Sequence, residues 1–134
     1  MRESSIKFPY RVYKDIACPI IGFEIQGPKG WIKIEAYVDS GASISVLSSR
    51  EALNLGIDFE KGKIIYSAVG NGSLIPVYLH RLPIRIGNIP FRATIGFSPR
   101  LGIGFNLLGR KDFFTHFDIT FSDTTKTITF LPRR

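Results

Sequence analysis

Apolar and polar residues alternate with a period of two along most of this chain, the pattern of β-strands with one buried face. Residues 16–26 are apolar and β-rich, Gly27-Pro28-Lys29-Gly30 marks a turn, and residues 31–38 return as a partner strand. Residues 63–69 and 73–79 flank Gly70-Asn71-Gly72. Asn-Gly is a strong hairpin signal because both residues tolerate positive φ. Pro76 removes a ladder donor, so this hairpin is expected at an edge or projecting from the sheet. Leu82, Ile84 and Ile86 turn at Gly87-Asn88 and are answered by Ile89, Phe91, Ala93, Ile95 and Phe97. Phe117, Ile119 and Phe121, a turn over residues 122–125, and residues 127–131 predict a last hairpin.

Two stretches break the alternation. Ser48-Ser49-Arg50-Glu51 has the form of a capping box, with Ser48 accepting from the backbone at Glu51 while Glu51 reaches back. A short helix through Asn54 should follow and stop at Gly56. Residues 110–116 predict a second short helix with Phe113 and Phe114 packing inward. Residues 1–15 are polar and read as an extended arm, leaving residues 16–134 as a single domain.

The bulk numbers narrow the classes. A chain of 134 residues with 44% hydrophobic content is one domain with one core, and its hydropathy argues against disorder. No apolar run approaches the ~20 residues of a membrane span, and no apolar signal segment follows Met1-Arg2-Glu3, so a cytoplasmic protein is expected. Cys18, the single cysteine, excludes an internal disulfide and a cysteine-cluster metal site and is expected to pack against Pro19 and Ile20. The net charge of +7 is scattered, with no five-residue basic run, which favours a solvated surface over a nucleic-acid face. An aromatic-basic patch for nucleic acid would have to come from Phe91, Arg92 and Phe97.

Candidate chemistry centres on Tyr37-Val38-Asp39-Ser40-Gly41-Ala42-Ser43. Apolar residues run into a tight polar turn that presents one carboxylate, and Gly41 permits close approach. Taken alone this is also an ordinary surface turn. Other chemistry is poorly supported. The stretch from Gly104 to Lys111 lacks the Gly-Lys-(Ser/Thr) ending of a phosphate loop and is filled with bulky aliphatics. His80 and His116 are isolated, with no zinc-ligand spacing and no Gly-x-Ser-x-Gly elbow elsewhere. His116 is expected to make a dipole contact at a helix end.

Together with Phe105-Asn106-Leu107-Leu108-Gly109-Arg110, the Asp39 turn resembles the retropepsin-like aspartic proteases, the single-domain relatives of the retroviral protease. The resemblance covers roughly residues 17–121. It implies a mostly β fold: a closed or partly open β-barrel with one or two short helices and a hairpin flap. Asp39 would be catalytic, supported by Ser40, Gly41 and Ala42. Val69, Gly70, Asn71 and Gly72 would form the flap over bound substrate. Leu107, Leu108, Gly109 and Arg110 would run beside the catalytic loop, and residues 98–104 would wall the cleft.

The resemblance also implies a partner. Aspartic proteolysis needs two carboxylates that share a proton, and no second Asp-(Ser/Thr)-Gly occurs in the chain. A homodimer supplies the second Asp39 across a two-fold axis. Its substrate would be an extended peptide or unfolded protein, with no metal or organic cofactor. Ser43 stands where retroviral enzymes commonly carry an acidic residue that pairs with the Arg of Gly-Arg, so Arg110 needs another partner. The extra hairpin over residues 117–131 leaves room for a dimer interface unlike the viral interleaving of terminal strands. The alternatives are a catalytically idle dimerisation or peptide-binding domain of this fold, and a nucleic-acid-binding barrel.

Overall fold

The computed structural model describes residues 4–68 and 72–133. Strand β1 (Ile6–Pro9) precedes a small hairpin of β2 (Arg11–Tyr13) and β3 (Ile16–Cys18). Strands β4 (Ile20–Gly27) and β5 (Gly30–Val38) form the antiparallel pair anticipated around the turn at residues 27–30. β6 (Ser45–Ser48) leads into the only α-helix among the described residues, α1 (Ser49–Leu55), and a single 3-10 turn, Phe59–Lys61, follows. β7 (Lys63–Ala68), β8 (Leu74–Ile86) and β9 (Ile89–Ser98) come next, then β10 (Asn106–Leu108), β11 (Phe117–Ser122) and β12 (Thr127–Pro132).

Six of these strands close into a barrel in the order β4-β5-β10-β6-β9-β8. The seam is β8 against β4, where Glu24 faces Arg85 and Ile25 faces Ile84. Arg85 holds Glu24 with two hydrogen bonds of 2.9 and 3.1 Å and lies 4.3 Å over the Trp31 ring. β7 hangs outside the barrel on β8, with Tyr66 opposite Pro76. The edge position expected from Pro76 is therefore observed.

Period-two patterning fills the interior. Ile21, Phe23 and Ile25 of β4, Ile34, Ala36 and Val38 of β5, and Ala93, Ile95 and Phe97 of β9 are all buried in one cluster. Phe113, Phe117 and Phe130 complete it, and truncating any one of these rings would cost about 3–5 kcal/mol. Burial of Phe97, and the packing of Phe91 on Phe113, His116 and Phe117, take both rings out of any exposed aromatic-basic patch. Cys18 is buried, as its apolar setting suggested. No helix among the described residues is long and apolar enough to cross a membrane.

Three local expectations change. First, residues 6–9 are extended but not a free arm: β1 pairs with β12 over four residues, and Ile6, Phe8 and Tyr10 pack on the core. Their alternation with polar neighbours is itself a short strand signal, overshadowed by the polar stretch around it. Second, the helix N-cap is Ser48, but its hydroxyl accepts from Arg50 N at 3.3 Å, and Glu51 reaches Asn106 and Asn54 rather than back to the cap. The C-cap at Gly56, with φ of 81°, is as expected.

Third, residues 110–116 make turns and no helix. Phe114 N and Phe117 N each bond four residues back, but Asp112, inside the first of these two turns, stands at φ 69° and interrupts helical geometry. Phe113 is nonetheless buried and Phe114 packs on the core. Tertiary bonds hold Asp112 there: its Oδ2 accepts from Thr94 N at 2.7 Å and from Arg81 Nη1 at 2.8 Å. Burial alone would raise this carboxyl, but the Thr94 hydrogen bond and Arg81 outweigh it and hold it below the ordinary value. Because the folded value is lowered, the stabilisation is present above the unfolded value and is lost as pH falls through the folded one. Asp112→Ala is expected to cost about 1–3 kcal/mol at neutral pH. Urea titrations at a series of pH values should show the gap between variant and parent narrowing on acidification, whereas a constant gap would mean the charge contributes nothing.

Candidate active site

The Asp39 turn is shaped by a strand that lies between its two arms. β5 enters the turn and β6 leaves it, yet they do not pair with each other; β10 is inserted between them, parallel to β5 and antiparallel to β6. Leu108 stands opposite Val38, and Leu107 opposite both Tyr37 and Val46. The apolar pair Leu107-Leu108 and the Tyr37-Val38 lead into Asp39 are thus two sides of one ladder.

Backbone bonds on both sides of the turn fix it without a helix or hairpin of its own. Asp39 N donates to Leu108 O at 2.9 Å and Ala42 N to Asp39 O at 3.1 Å. Arg110 N donates to Ala42 O at 2.9 Å and Lys111 N to Ser43 O at 3.0 Å. Gly109 N, buried, donates to Ser45 Oγ at 2.9 Å. Only glycine fits at 109: a Cβ there would overlap the Ile44 carbonyl and sit 2.8 Å from Ala42 O. The Asp39 side chain is oriented by the Gly41 N–H, which donates to its Oδ1 at 2.8 Å.

Asp39 stands at the edge of a cleft of about 410 Å³. Gly41, Ala42 and Leu107 line it too, so four residues singled out in the sequence converge there. Val46, Ile75, Leu101 and Ile103 supply apolar walls, and Ser67 and Ala68 of β7 border it. The loop after β9 thus lines the cleft through Leu101 and Ile103. Among the lining residues Asp39 is the sole carboxylate. Ser40 is exposed and borders a different groove of about 350 Å³ on the far side of the turn. Val69, Gly70 and Asn71 lie outside the described residues. Gly72 is described, with φ of 84° and open space where a Cβ would project. Arg110 is exposed and makes no ion pair among the described residues, so its contribution to the turn is its backbone N–H.

Two braces were not anticipated. Ser45 is buried in an apolar stretch, and its hydroxyl receives the Gly109 N–H. Asn106, also buried, joins three elements: its Oδ1 accepts from Ser48 N at 2.9 Å, and its Nδ2 donates to Glu35 O at 2.9 Å and Glu51 Oε2 at 2.8 Å. The available signal was a polar residue inside an otherwise apolar strand, which burial makes costly unless every group is paired. Neither histidine approaches the cleft. His80 Nε2 lies 2.8 Å from Phe59 O, and His116 Nδ1 2.5 Å from Asp112 O, stacked on Phe91. No group of three metal-ligating side chains occurs among the described residues.

The site thus presents one oriented carboxylate at the edge of an apolar cleft, in a turn bonded to a third strand. The family model described as Aspartyl protease matches residues 23–109, well over half of the chain. The chain belongs to the aspartyl protease family. Its fold is that of retropepsins. It superposes on the crystal structure of a retropepsin-like aspartic protease from Rickettsia conorii with a TM-score of 0.70 at 20% identity, covering 95% of this chain and 91% of that one. The EIAV protease complexed with the inhibitor HBY-793 matches with a TM-score of 0.54 at 18% identity, covering 75% of this chain and 88% of that one. A search of curated proteins found no match. Residues 23–109 take in the Asp39 turn, the β7–β8 hairpin, the loop after β9 and the β10 strand, all of which line the cleft.

Proposed function

We propose that this aspartyl protease family member is an endopeptidase that works as a homodimer, with Asp39 of each copy forming the catalytic pair. The observation that carries the reading is the lone, oriented Asp39 carboxylate at the edge of an apolar cleft. One carboxylate cannot act as both base and acid on the same water and carbonyl. In the pair, the ionised member takes a proton from water while the protonated member polarises the scissile carbonyl and later helps the amine leave. The apolar walls suit an extended peptide with apolar side chains beside the scissile bond, lying along strand edges. No step requires a metal or organic cofactor.

The test is cleavage of an unstructured protein across a pH series. The reading expects hydrolysis on the acid side, where the pair holds one proton, and inhibition by a statine-type compound. A folded dimer that cleaves nothing at any pH would leave a peptide-binding domain in place of an enzyme.

The β7–β8 hairpin is the flap in this reading. Ser67 and Ala68 reach the cleft just before its tip, and Gly72 follows with positive φ. Gly72→Val is sterically open but conformationally strained, and Gly72 is exposed. It is expected to lower kcat/KM at least tenfold while shifting Tm by no more than a few degrees. Unchanged turnover on a peptide substrate would refute the flap assignment.

A further inference from the structure

The sequence leaves open how a second copy would reach Asp39, and the structure narrows the route. We infer that a second copy of this chain docks on the face formed by the groove beside Ser40 and the adjoining edge strand β11, without exchanging terminal strands. This rests on the dimeric reading above and specifies its interface.

Exchange of terminal strands is disfavoured by the pairing already present. β1 is bonded to β12 along four residue pairs, and β12 to β11 along six. Phe8 and Phe130 meet edge to face at 5.7 Å within the same chain, and Ile128 and Phe130 are fully buried in its core. Lending either terminal strand to a partner would expose these side chains or require the partner to replace them all.

Asp39 borders two concavities. The first is the cleft, which substrate must occupy and which Ala68, Ile75 and Leu101 border. The second is the groove of about 350 Å³ that contains Asp39 and Ser40 themselves, together with Tyr37, Pro19 and Phe121. A second carboxylate arriving through the cleft would displace substrate. Arriving from the groove side, it meets the first while leaving the cleft clear.

The groove side also has the composition of an unfilled interface. Val12 and Ala17 are directly opposed across the β2–β3 hairpin, so their side chains share one face. Ala17 lines the groove, and Val12 beside it is 75% exposed. Phe121, at the other rim, is 37% exposed. β11 ends the order β1-β12-β11, and no strand among the described residues pairs with its outer edge. An open edge beside an exposed apolar rim is a surface that natural chains usually cover. Across a two-fold axis the same groove and edge meet their own copies, as an isologous interface requires.

The experiment compares Val12→Glu and Phe121→Glu with Leu53→Glu, which is 67% exposed on α1 and borders neither groove nor edge. Sedimentation velocity and peptide hydrolysis are measured over a protein concentration series, with circular dichroism to check folding. Val12→Glu and Phe121→Glu are expected to raise the dimer dissociation constant at least tenfold and to lower hydrolysis in step with the dimer fraction. Activity should recover at high protein concentration, and Leu53→Glu should behave as the parent. Should Phe121→Glu unfold, Val12→Glu decides alone. In a Cys18→Ser background, Lys7→Cys with Thr129→Cys places two thiols at paired positions of β1 and β12. The oxidised protein is expected to run as a monomer on a non-reducing denaturing gel and still to dimerise and cleave. A covalent dimer on that gel, or an unchanged dissociation constant in Val12→Glu, overturns the proposed face while the enzymatic reading stands. A parent that is monomeric at every concentration overturns both.

Discussion

Asp39→Asn is expected to abolish peptide hydrolysis, by at least about 10³-fold, and to leave the fold intact. The size follows from the chemistry: general acid–base assistance contributes roughly 10²–10⁴-fold, and this residue supplies both halves of it in the proposed pair. The intact fold follows from the local geometry. Asp39 Oδ1 accepts the Gly41 N–H at 2.8 Å, and an asparagine oxygen can accept the same bond in the same place. The backbone of the turn is clamped by Leu108, Ala42 and Gly109, none of which the substitution touches. Urea unfolding should therefore place the variant within about 1 kcal/mol of the parent. Asp39→Ala removes the acceptor as well, so it should be equally inactive but measurably less stable. Parental proteolysis by Asp39→Asn would reduce Asp39 to a turn residue and end the enzymatic reading.

The opposite balance is expected at Gly109. Gly109→Ala places a methyl group against the Ile44 carbonyl and 2.8 Å from the Ala42 oxygen. Both obstacles are backbone, and both belong to the turn that carries Asp39. A flexible side chain could move aside; these atoms are held by β6 and by the Arg110 N–H to Ala42 bond. Overpacking of this kind costs about 1–3 kcal/mol. The relief available is for β10 to move away from the turn, which would stretch the Gly109 N–H to Ser45 bond and the Asp39 N–H to Leu108 bond together. Stability and kcat/KM should fall in concert, in contrast to Gly72→Val. A Gly109→Ala protein with parental unfolding midpoint and turnover would show that the turn is not clamped by β10.

How much of this was legible in the sequence can be traced residue by residue. The barrel strands were visible because Ile21, Phe23, Ile25 and Ala93, Ile95, Phe97 alternate without interruption, and the pleat converts that directly into one buried face. The partnership of Asp39 with Leu107 and Leu108 came from family resemblance; no local rule predicts that a strand seventy residues downstream enters between β5 and β6. The failed helix at residues 110–116 shows the limit from the other side. Phe113 and Phe114 have helical company in sequence, but Asp112 is held by Thr94 and Arg81 on another part of the barrel, and tertiary bonds override local preference. Ser45 and Asn106 are not legible as braces, because a single polar residue in an apolar run does not say what it will bond.

Strand β8 runs unbroken for thirteen residues and belongs to two structures at once. Residues 74–79 carry the hairpin with β7, and residues 84–85 form the seam with β4. No loop separates the two uses. The other leg of the hairpin is attached differently: β7 begins just after the 3-10 turn and Gly62, which is wedged against the Leu79 carbonyl and the His80 ring. The hairpin is therefore built as a cantilever, with one leg continuous with the barrel wall and the other pinned at its root. The continuous leg ends at the Glu24–Arg85 contact, on the opposite side of the wall from Asp39's turn in strand order.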